Sequence, residues 1–482
     1  MILLKYKFEL LILIFVIFLG IFLRFWNLLG WILINGDEIS VIISLGDSIL
    51  YHLTQSESSL SSFFPSVILT KLFFFINSFP EYRYINATMS VISLAFVYLT
   101  TRIFLKNKIL AILPLLLFSV HGVILYNSRL YLLDWTDILF PNVILFLYFT
   151  WRNKKRNILL PIIFFFCAIG INNHATLIYF FIPLFFWFTC LFYKKKIQFK
   201  WFLISIVVFL VTLTPILKGF VINLLTREFL DEKYKYCGMN FETPYFLPNV
   251  VNPGCYLGHI FLSFTSEHLG LNLLGSNPGY LFFLILFIPI PLLLYLKYSF
   301  SDKDLQFLAW ISYGTFFIVF LSPVPAYTTG HALIFLIVYM YFLTKELEID
   351  KIAIKFLVAL ILVLILVFNL MTISRIFTKN ELKEWLKFEK YILDKNITEI
   401  PIEKTSYEYL SHSSRLMEGI DYQIFKCKQD GIDPMIFNEK NFTEGQIILF
   451  STECEFYENY KEINLDLKHL GSFGEIRIYG VV

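Results

Sequence analysis

Eleven windows of mostly apolar sequence fall near residues 8–29, 84–105, 109–126, 130–150, 157–173, 175–193, 201–218, 279–297, 305–322, 328–344 and 353–375. Each is close to the roughly 20 residues that a helix needs to cross a hydrocarbon core of about 30 Å. In such a medium the backbone must satisfy its own hydrogen bonds, so the windows can cross only as helices. The charged fraction of 16% agrees, since a soluble domain carries about 25%. The sequence therefore predicts a mainly α, polytopic transmembrane helical protein of about 11 spans and excludes a soluble globule. A net charge of +3 is too small to imply nucleic acid, and membrane lipids are the expected surroundings.

The basic residues set the orientation. Lys5/Lys7, Arg102/Lys106/Lys108, Arg152/Lys154/Lys155/Arg156, Lys194/Lys195/Lys196/Lys200, Lys297/Lys303 and Lys345/Lys351/Lys355 occupy the N-terminus and every second connection. By the positive-inside bias these ends are cytoplasmic, which puts the N-terminus in and the C-terminus out. The apolar segment Phe63–Phe79 cannot cross without reversing every later cluster, so it is expected to be an interfacial or re-entrant helix. The first apolar run is too long for the core of a cleavable signal and is read as a retained span.

This topology divides the chain into a membrane module, residues 1–375, and an extracytoplasmic α/β domain, residues 376–482. The second is inferred from short alternating runs such as Gln446–Ser451 and Gly474–Tyr479. Two long outer loops, about 30–83 and 219–278, belong to the first, and long loops of this kind tend to be functional. Cys237, Cys255, Cys427 and Cys454 all fall outside, where one disulfide per outer region or four free thiols both fit.

Polar residues collect on the outer side. Asp37 and Glu38 follow span 1, where the pair either serves chemistry or caps an amphipathic helix over Ile39–Tyr51. Asn127, Arg129, Asp134 and Asp137 border the turn between spans 3 and 4, and His174 lies between spans 5 and 6. Lys218, Arg227, His259, Glu267 and His268 belong to the loop after span 7, and Tyr327 and His331 open span 10. Ionisable groups at membrane depth cost about 2.5–3.5 kcal/mol each on insertion scales, so they face a partner, a cavity or a substrate. Asp134 and Asp137 share one side of span 4, a turn or two below its outer end. For Asp137 the simplest expectation is mutual neutralisation with Arg129.

The order Arg24-Phe-Trp26, Asp37-Glu38, the Pro65 helix and the turn Asn127-Ser-Arg-Leu-Tyr-Leu-Leu-Asp134 resembles the membrane glycosyltransferases of the C superfamily. The likeness is nearest to the protein O-mannosyltransferase and aminoarabinose-transferase branch. The segment Leu271–Gly279 is similar to a Leu-Phe-Gly-x-Pro turn of prokaryotic members. Tyr327-Thr-Thr-Gly-His331 stands where many members carry a Gly-x-Arg-Tyr-like sequence, with His331 in place of the Arg. The resemblance implies an inverting transferase that moves a sugar from a polyprenyl-phosphate carrier to an acceptor on the outer face. It implies Asp37 as catalytic base with Glu38 beside it, and Arg129 and Asp134 as substrate-binding residues. His174, Lys218, Arg227, Tyr327 and His331 are the further substrate-binding candidates by position.

No cofactor is required by that chemistry, although other branches of the superfamily bind a divalent ion in the first loop. His259, Glu267 and His268 lack the compact spacing of a metal site. Composition and the absence of long loop insertions lean to a prokaryotic plasma membrane with the active site facing the periplasm or exterior. Three rival readings stay open: a ligase of the O-antigen type using a lipid diphosphate donor, a transporter of a lipid-linked saccharide, and a non-catalytic assembly factor or receptor with an outer α/β domain. The crowding of polar residues at one face disfavours the second, because transporter sites lie near the midplane.

Overall fold

The computed structural model describes residues 2–28, 66, 68–69, 72, 82–130, 135–226, 233–236, 239–242, 256–257, 260, 288–298, 300–321, 329–349 and 351–378, with strand residues 402–403, 424–425, 427–428, 431–432, 447–451, 467–473 and 476–481. The chain forms two compact units. One gathers Met1–Trp26, Ser44–Asn77 and Tyr82–Ile376, the other Asn27–Ile43, Ser78–Glu81 and Phe377–Val482.

The first unit is helical. Its elements are α1 (Ile2–Phe25), α2 (Arg83–Phe104), α3 (Ile112–Val120), α4 (Gly122–Arg129), α5 (Trp135–Lys154), α6 (Leu159–Asn173), a 3-10 turn (Ala175–Leu177), α7 (Ile178–Tyr193), α8 (Phe199–Thr226), α9 (Pro289–Tyr298), α10 (Lys303–Phe320), α11 (Thr329–Glu346) and α12 (Ile352–Thr378). Helix thus occupies part or all of every apolar window. Among the described residues, four helices are long and apolar enough to cross a membrane, and five if the bent α3–α4 pair is one span. The protein is a helical membrane protein with several spans.

Phe supplies the packing between helices. Tyr148 and Phe307 stack at 3.6 Å between α5 and α10, and Phe181 and Phe209 at 4.1 Å between α7 and α8. Flat rings meeting in stacked or edge arrangements fill interhelical space without polar atoms, and in lipid such packing replaces the hydrophobic effect as the cohesive term. The opposite faces carry large exposed apolar residues, among them Leu11, Phe15 and Phe18 of α1 and Val207, Leu210 and Val211 of α8. A soluble protein would bury a surface like that.

Two local devices shape the bundle. Window 109–126, expected as one span, is broken at His121 into α3 and α4, bent by 59°. The break frees carbonyls at the end of α3, and Arg24 fills them: its guanidinium donates to Phe118 O at 3.1 Å and to Ser119 O at 3.4 Å. The second device lies on α5, where Pro141 lacks a backbone N–H. Beside it, Asn142 Nδ2 donates to Ile138 O (2.6 Å) and Ser93 Oγ of α2 (2.9 Å), while Oδ1 accepts from Tyr341 Oη of α11 (2.5 Å).

Residues Lys233–Tyr236 (β1) and Met239–Glu242 (β2) form an antiparallel pair within the first unit. The second unit holds β3 (Ile402–Glu403), β4 (Ile424–Phe425), β5 (Cys427–Lys428), β6 (Gly431–Ile432), β7 (Ile447–Ser451), β8 (Leu467–Phe473) and β9 (Ile476–Val481). They make a five-stranded sheet of order β4-β3-β7-β9-β8 and a β5-β6 pair. In the sheet β3 is parallel to β4 and β7, and β9 is antiparallel to β7 and β8. Strands β7 and β9 coincide with the alternating runs read from the sequence.

Candidate functional site

At the end of the helical unit where α4 finishes and α5 begins, the structure brings together two polar groups. The first is built of arginines. Arg24, Arg83 and Arg129 are each fully buried, on the last turn of α1, the first residue of α2 and the last residue of α4. Arg24 Nε donates to Ser90 Oγ of α2 at 2.7 Å and a terminal nitrogen to Gly20 O at 3.0 Å. With the two carbonyls of α3, all four of its bonds go to uncharged acceptors. Arg129 donates to Leu23 O of α1 at 2.8 Å, and its place at a helix C-terminus favours a cation. Arg83 and Arg129 lie near enough for their charges to repel, and Asn86 Nδ2 ties α2 to Leu130 O at 2.6 Å.

The second group lies where α5 begins and α6 ends. Asp137, in the first turn of α5, is wholly buried, and its Oδ2 lies 2.6 Å from His174 Nδ1. The same oxygen accepts from Thr176 Oγ1 at 2.7 Å, and Thr176 Oγ1 is 2.9 Å from His174 Nδ1. His174 follows the last residue of α6, and its backbone N–H donates to Gly170 O at 2.8 Å. Its side chain is 21% exposed while that of Asp137 is 0% exposed, so the ring separates the acid from the surroundings. Asp137 Oδ1 has no hydrogen-bond partner among the described residues.

Next to this pair the segment after Pro65 docks. Ser66 is helical and buried; its N–H and Oγ donate to Asn173 Oδ1 at 3.0 and 2.6 Å, and it accepts from Trp135 Nε1 at 3.0 Å. Asn173 Nδ2 reaches Thr136 Oγ1 at 3.4 Å. Ser66, within the Phe63–Phe79 segment, is therefore held against Trp135 of α5 and Asn173 of α6.

Several sequence expectations change here. Asp137 was expected to neutralise Arg129, but its partners are His174 and Thr176. Asp37, Glu38, Asp134, Arg227 and Tyr327 lie outside the described residues, as do His259, Glu267 and His268. The backbones of Lys218 and His331 lie in α8 and α11, and their side chains are outside the described part. Among the described residues no three His, Cys, Asp or Glu side chains gather as a metal site.

The sequence reading missed Arg83, Ser66 and Thr176. A signal existed for Arg83: it is an arginine at the mouth of an apolar window on the side that the charge count expects to be outer, against the positive-inside bias.

No family model and no curated protein matches this chain. Among solved structures, the chain is similar to the crystal structure of ArnT from Cupriavidus metallidurans bound to undecaprenyl phosphate. That likeness has a TM-score of 0.48 at 11% identity and covers 97% of each chain.

Proposed function

We propose that this protein is an inverting glycosyltransferase that moves a sugar from a polyprenyl-phosphate carrier to an acceptor on the non-cytoplasmic face of a prokaryotic plasma membrane. One observation carries the reading: buried cations, Arg129 with Arg83 beside it, and an acid-held imidazole, His174, lie toward one end of a helical unit whose outward faces are largely apolar. A ligand with an anionic head and a long hydrocarbon tail suits that combination, because guanidinium groups bind phosphate by charge-assisted hydrogen bonds and apolar helix surfaces accept the tail.

In the reaction, the acceptor hydroxyl oxygen attacks the anomeric carbon, its proton passes to a carboxylate, and the bond from that carbon to the phosphate oxygen breaks. Asp37 is the carboxylate proposed as base, with Glu38 orienting it. Negative charge builds on the departing phosphate, where preorganised cations lower the barrier. Arg129 and His174 are proposed for this task, with Asp134, Lys218, Arg227, Tyr327 and His331 as further contacts to donor or acceptor. The C-terminal strands belong, in this reading, to an extracytoplasmic domain of residues 376–482.

The test is release of polyprenyl phosphate from a radiolabelled polyprenyl-phosphate sugar by the purified full-length protein. Asp37→Asn is expected to lower turnover at least about a hundredfold, the usual contribution of a positioned base. Equal turnover in the two would remove Asp37 from the chemistry. Turnover with lipid diphosphate donors alone would replace this reading by that of a ligase.

A further inference from the structure

Glu346 closes α11 with its side chain sealed from solvent, and neither carboxyl oxygen has a hydrogen-bond partner among the described residues. It lies two residues past the apolar window 328–344, on the side that the basic clusters mark as cytoplasmic. Other acids at that end have partners. Glu9 has Arg102, Asp304 has Arg152, Glu348 has Lys345, and Asp302 caps α10 by accepting from the N–H groups of Asp304 and Leu305.

The packing around Glu346 explains its isolation. Residues four apart share a helix face, so Glu346 stands on the side of α11 that carries Phe342. Phe342 packs on Tyr295 of α9, with ring centroids 6.0 Å apart, and on Tyr313 of α10, at 5.7 Å. Lys345 is next in sequence but points about 100° away around the helix. Its ammonium is engaged there, donating to Phe104 O of α2 at 3.1 Å and to Glu348 Oε2 at 2.6 Å. Among the described residues, Tyr313 and Tyr339 register the charge of Glu346, and both are phenols, uncharged below about pH 10. Lys297 of α9 is exposed, and the charge of Asp302, just before α10, falls on Tyr295.

An ionised carboxylate in this place gives up its hydration and gains neither a cation nor a hydrogen bond in return. A protonated one gives up far less. Burial pushes the carboxyl up to about 9, so packing and titration point to the same form at neutral pH. Sealed ionisable groups of this kind are where a protein makes use of protonation.

We propose that Glu346 is a proton-binding site, occupied at neutral pH, whose emptying releases the end of α11 from α9 and α10. The ligand is the proton itself. On dissociation it passes to water, the electron pair stays on the carboxylate oxygen, and the charged group is stable only where water reaches it. The joint of α9, α10 and α11 is thus a latch that alkali opens. The inference does not rest on the transferase reading. Its rival is a carboxylate held ionised by a cation.

Linkage gives the sign. In the unfolded chain the carboxyl ionises near 4.5, whereas in the folded protein it keeps its proton up to about 9. The stability it contributes is whole below that lower value and is lost as pH rises through the window. One linked proton changes the folding equilibrium by at most about tenfold per pH unit.

The experiment compares full-length wild type with Glu346→Gln by equilibrium unfolding in detergent from about pH 5 to about pH 8. The variant should match wild type at the acid end and gain on it by at least about tenfold between about pH 6 and pH 8. Glu346→Met should behave in the same way, and it carries the comparison if the amide variant does not fold. Infrared spectra give a direct readout: wild type should keep a protonated-carboxyl band at about pH 7.5 that both variants lack. Parallel unfolding curves across the whole range would overturn the proposal. Variants that lose stability relative to wild type as the pH rises would overturn it in favour of the ionised, cation-held carboxylate. Absence of the infrared band from wild type at neutral pH would sink it without recourse to any variant. None of these results touches sugar transfer, which is tested separately by release of polyprenyl phosphate.

Discussion

The two ends of the helical unit handle charge in opposite ways. At the basic end, cations meet carboxylates: Arg102 of α2 pairs with Glu9 of α1 at 2.6 Å, Arg152 of α5 with Asp304 of α10, and Lys345 with Glu348 three residues on at 2.6 Å. Glu348 also accepts from the backbone N–H groups of Lys106 and Asn107, at 2.5 and 2.8 Å. Most of these groups keep some contact with the surroundings. At the other end Arg24 is sealed from solvent and held by carbonyls and one hydroxyl, and Asp137 is sealed beneath a histidine. Pairing at a partly exposed end neutralises charge cheaply, whereas at the opposite end a buried guanidinium is kept in place by hydrogen bonds that leave its charge uncancelled. Arg24 is the clearest instance, with uncharged acceptors at all four of its bonds.

The largest effect that would break this contrast comes from Arg24. Arg24→Met should strand the carbonyls of Phe118 and Ser119 at the break between α3 and α4 and lower stability by about 3 kcal/mol, with Arg24→Lys intermediate. Thermal unfolding in detergent measures it, and an unchanged melting curve would show that the break holds without the guanidinium. A middle effect is expected from Gly170→Ala, about 2 kcal/mol from overpacking against Leu177 and Phe140. An unchanged melting curve for that variant would mean the 174–177 turn tolerates the shift.

The smallest effect belongs to the basic end. Arg102→Met should cost about 0.5 kcal/mol, since its side chain is 32% exposed. That cost should fade as salt is raised toward about 1 M, while the Arg24→Met deficit persists. A salt-independent loss at Arg102, or a salt-sensitive one at Arg24, would erase the distinction between the ends.

How far the sequence could be read follows the same division. Helix positions were legible because lipid forces long apolar runs to be helical: α2, α6, α7 and α10 to α12 begin and end near the windows read from hydropathy, while α8 runs on past its window to Thr226. The break at His121 was not, because nothing in 109–126 announces it except Gly122, and what sustains it is an arginine 94 and 95 positions away from the carbonyls it caps. Asp137 and His174 were both visible as polar residues near the outer mouth. Their partnership was hidden because it depends on the approach of α5 and α6, and nearness in sequence favoured Arg129 instead. Arg83 was not singled out, though its place on the expected outer side was the clue.

Asn142 has a consequence of a different kind. Ile138 O can only accept, so the amide must present its nitrogen toward α5 and α2 and its oxygen toward Tyr341, which makes the chain of hydrogen bonds directional across three helices. Turning α11 by a single residue rotates its side chains by roughly 100° and would take the Tyr341 hydroxyl away from Asn142 Oδ1. One amide therefore serves as a keyway for the rotational register of α2, α5 and α11, in a medium where greasy side chains alone slide past each other with little preference.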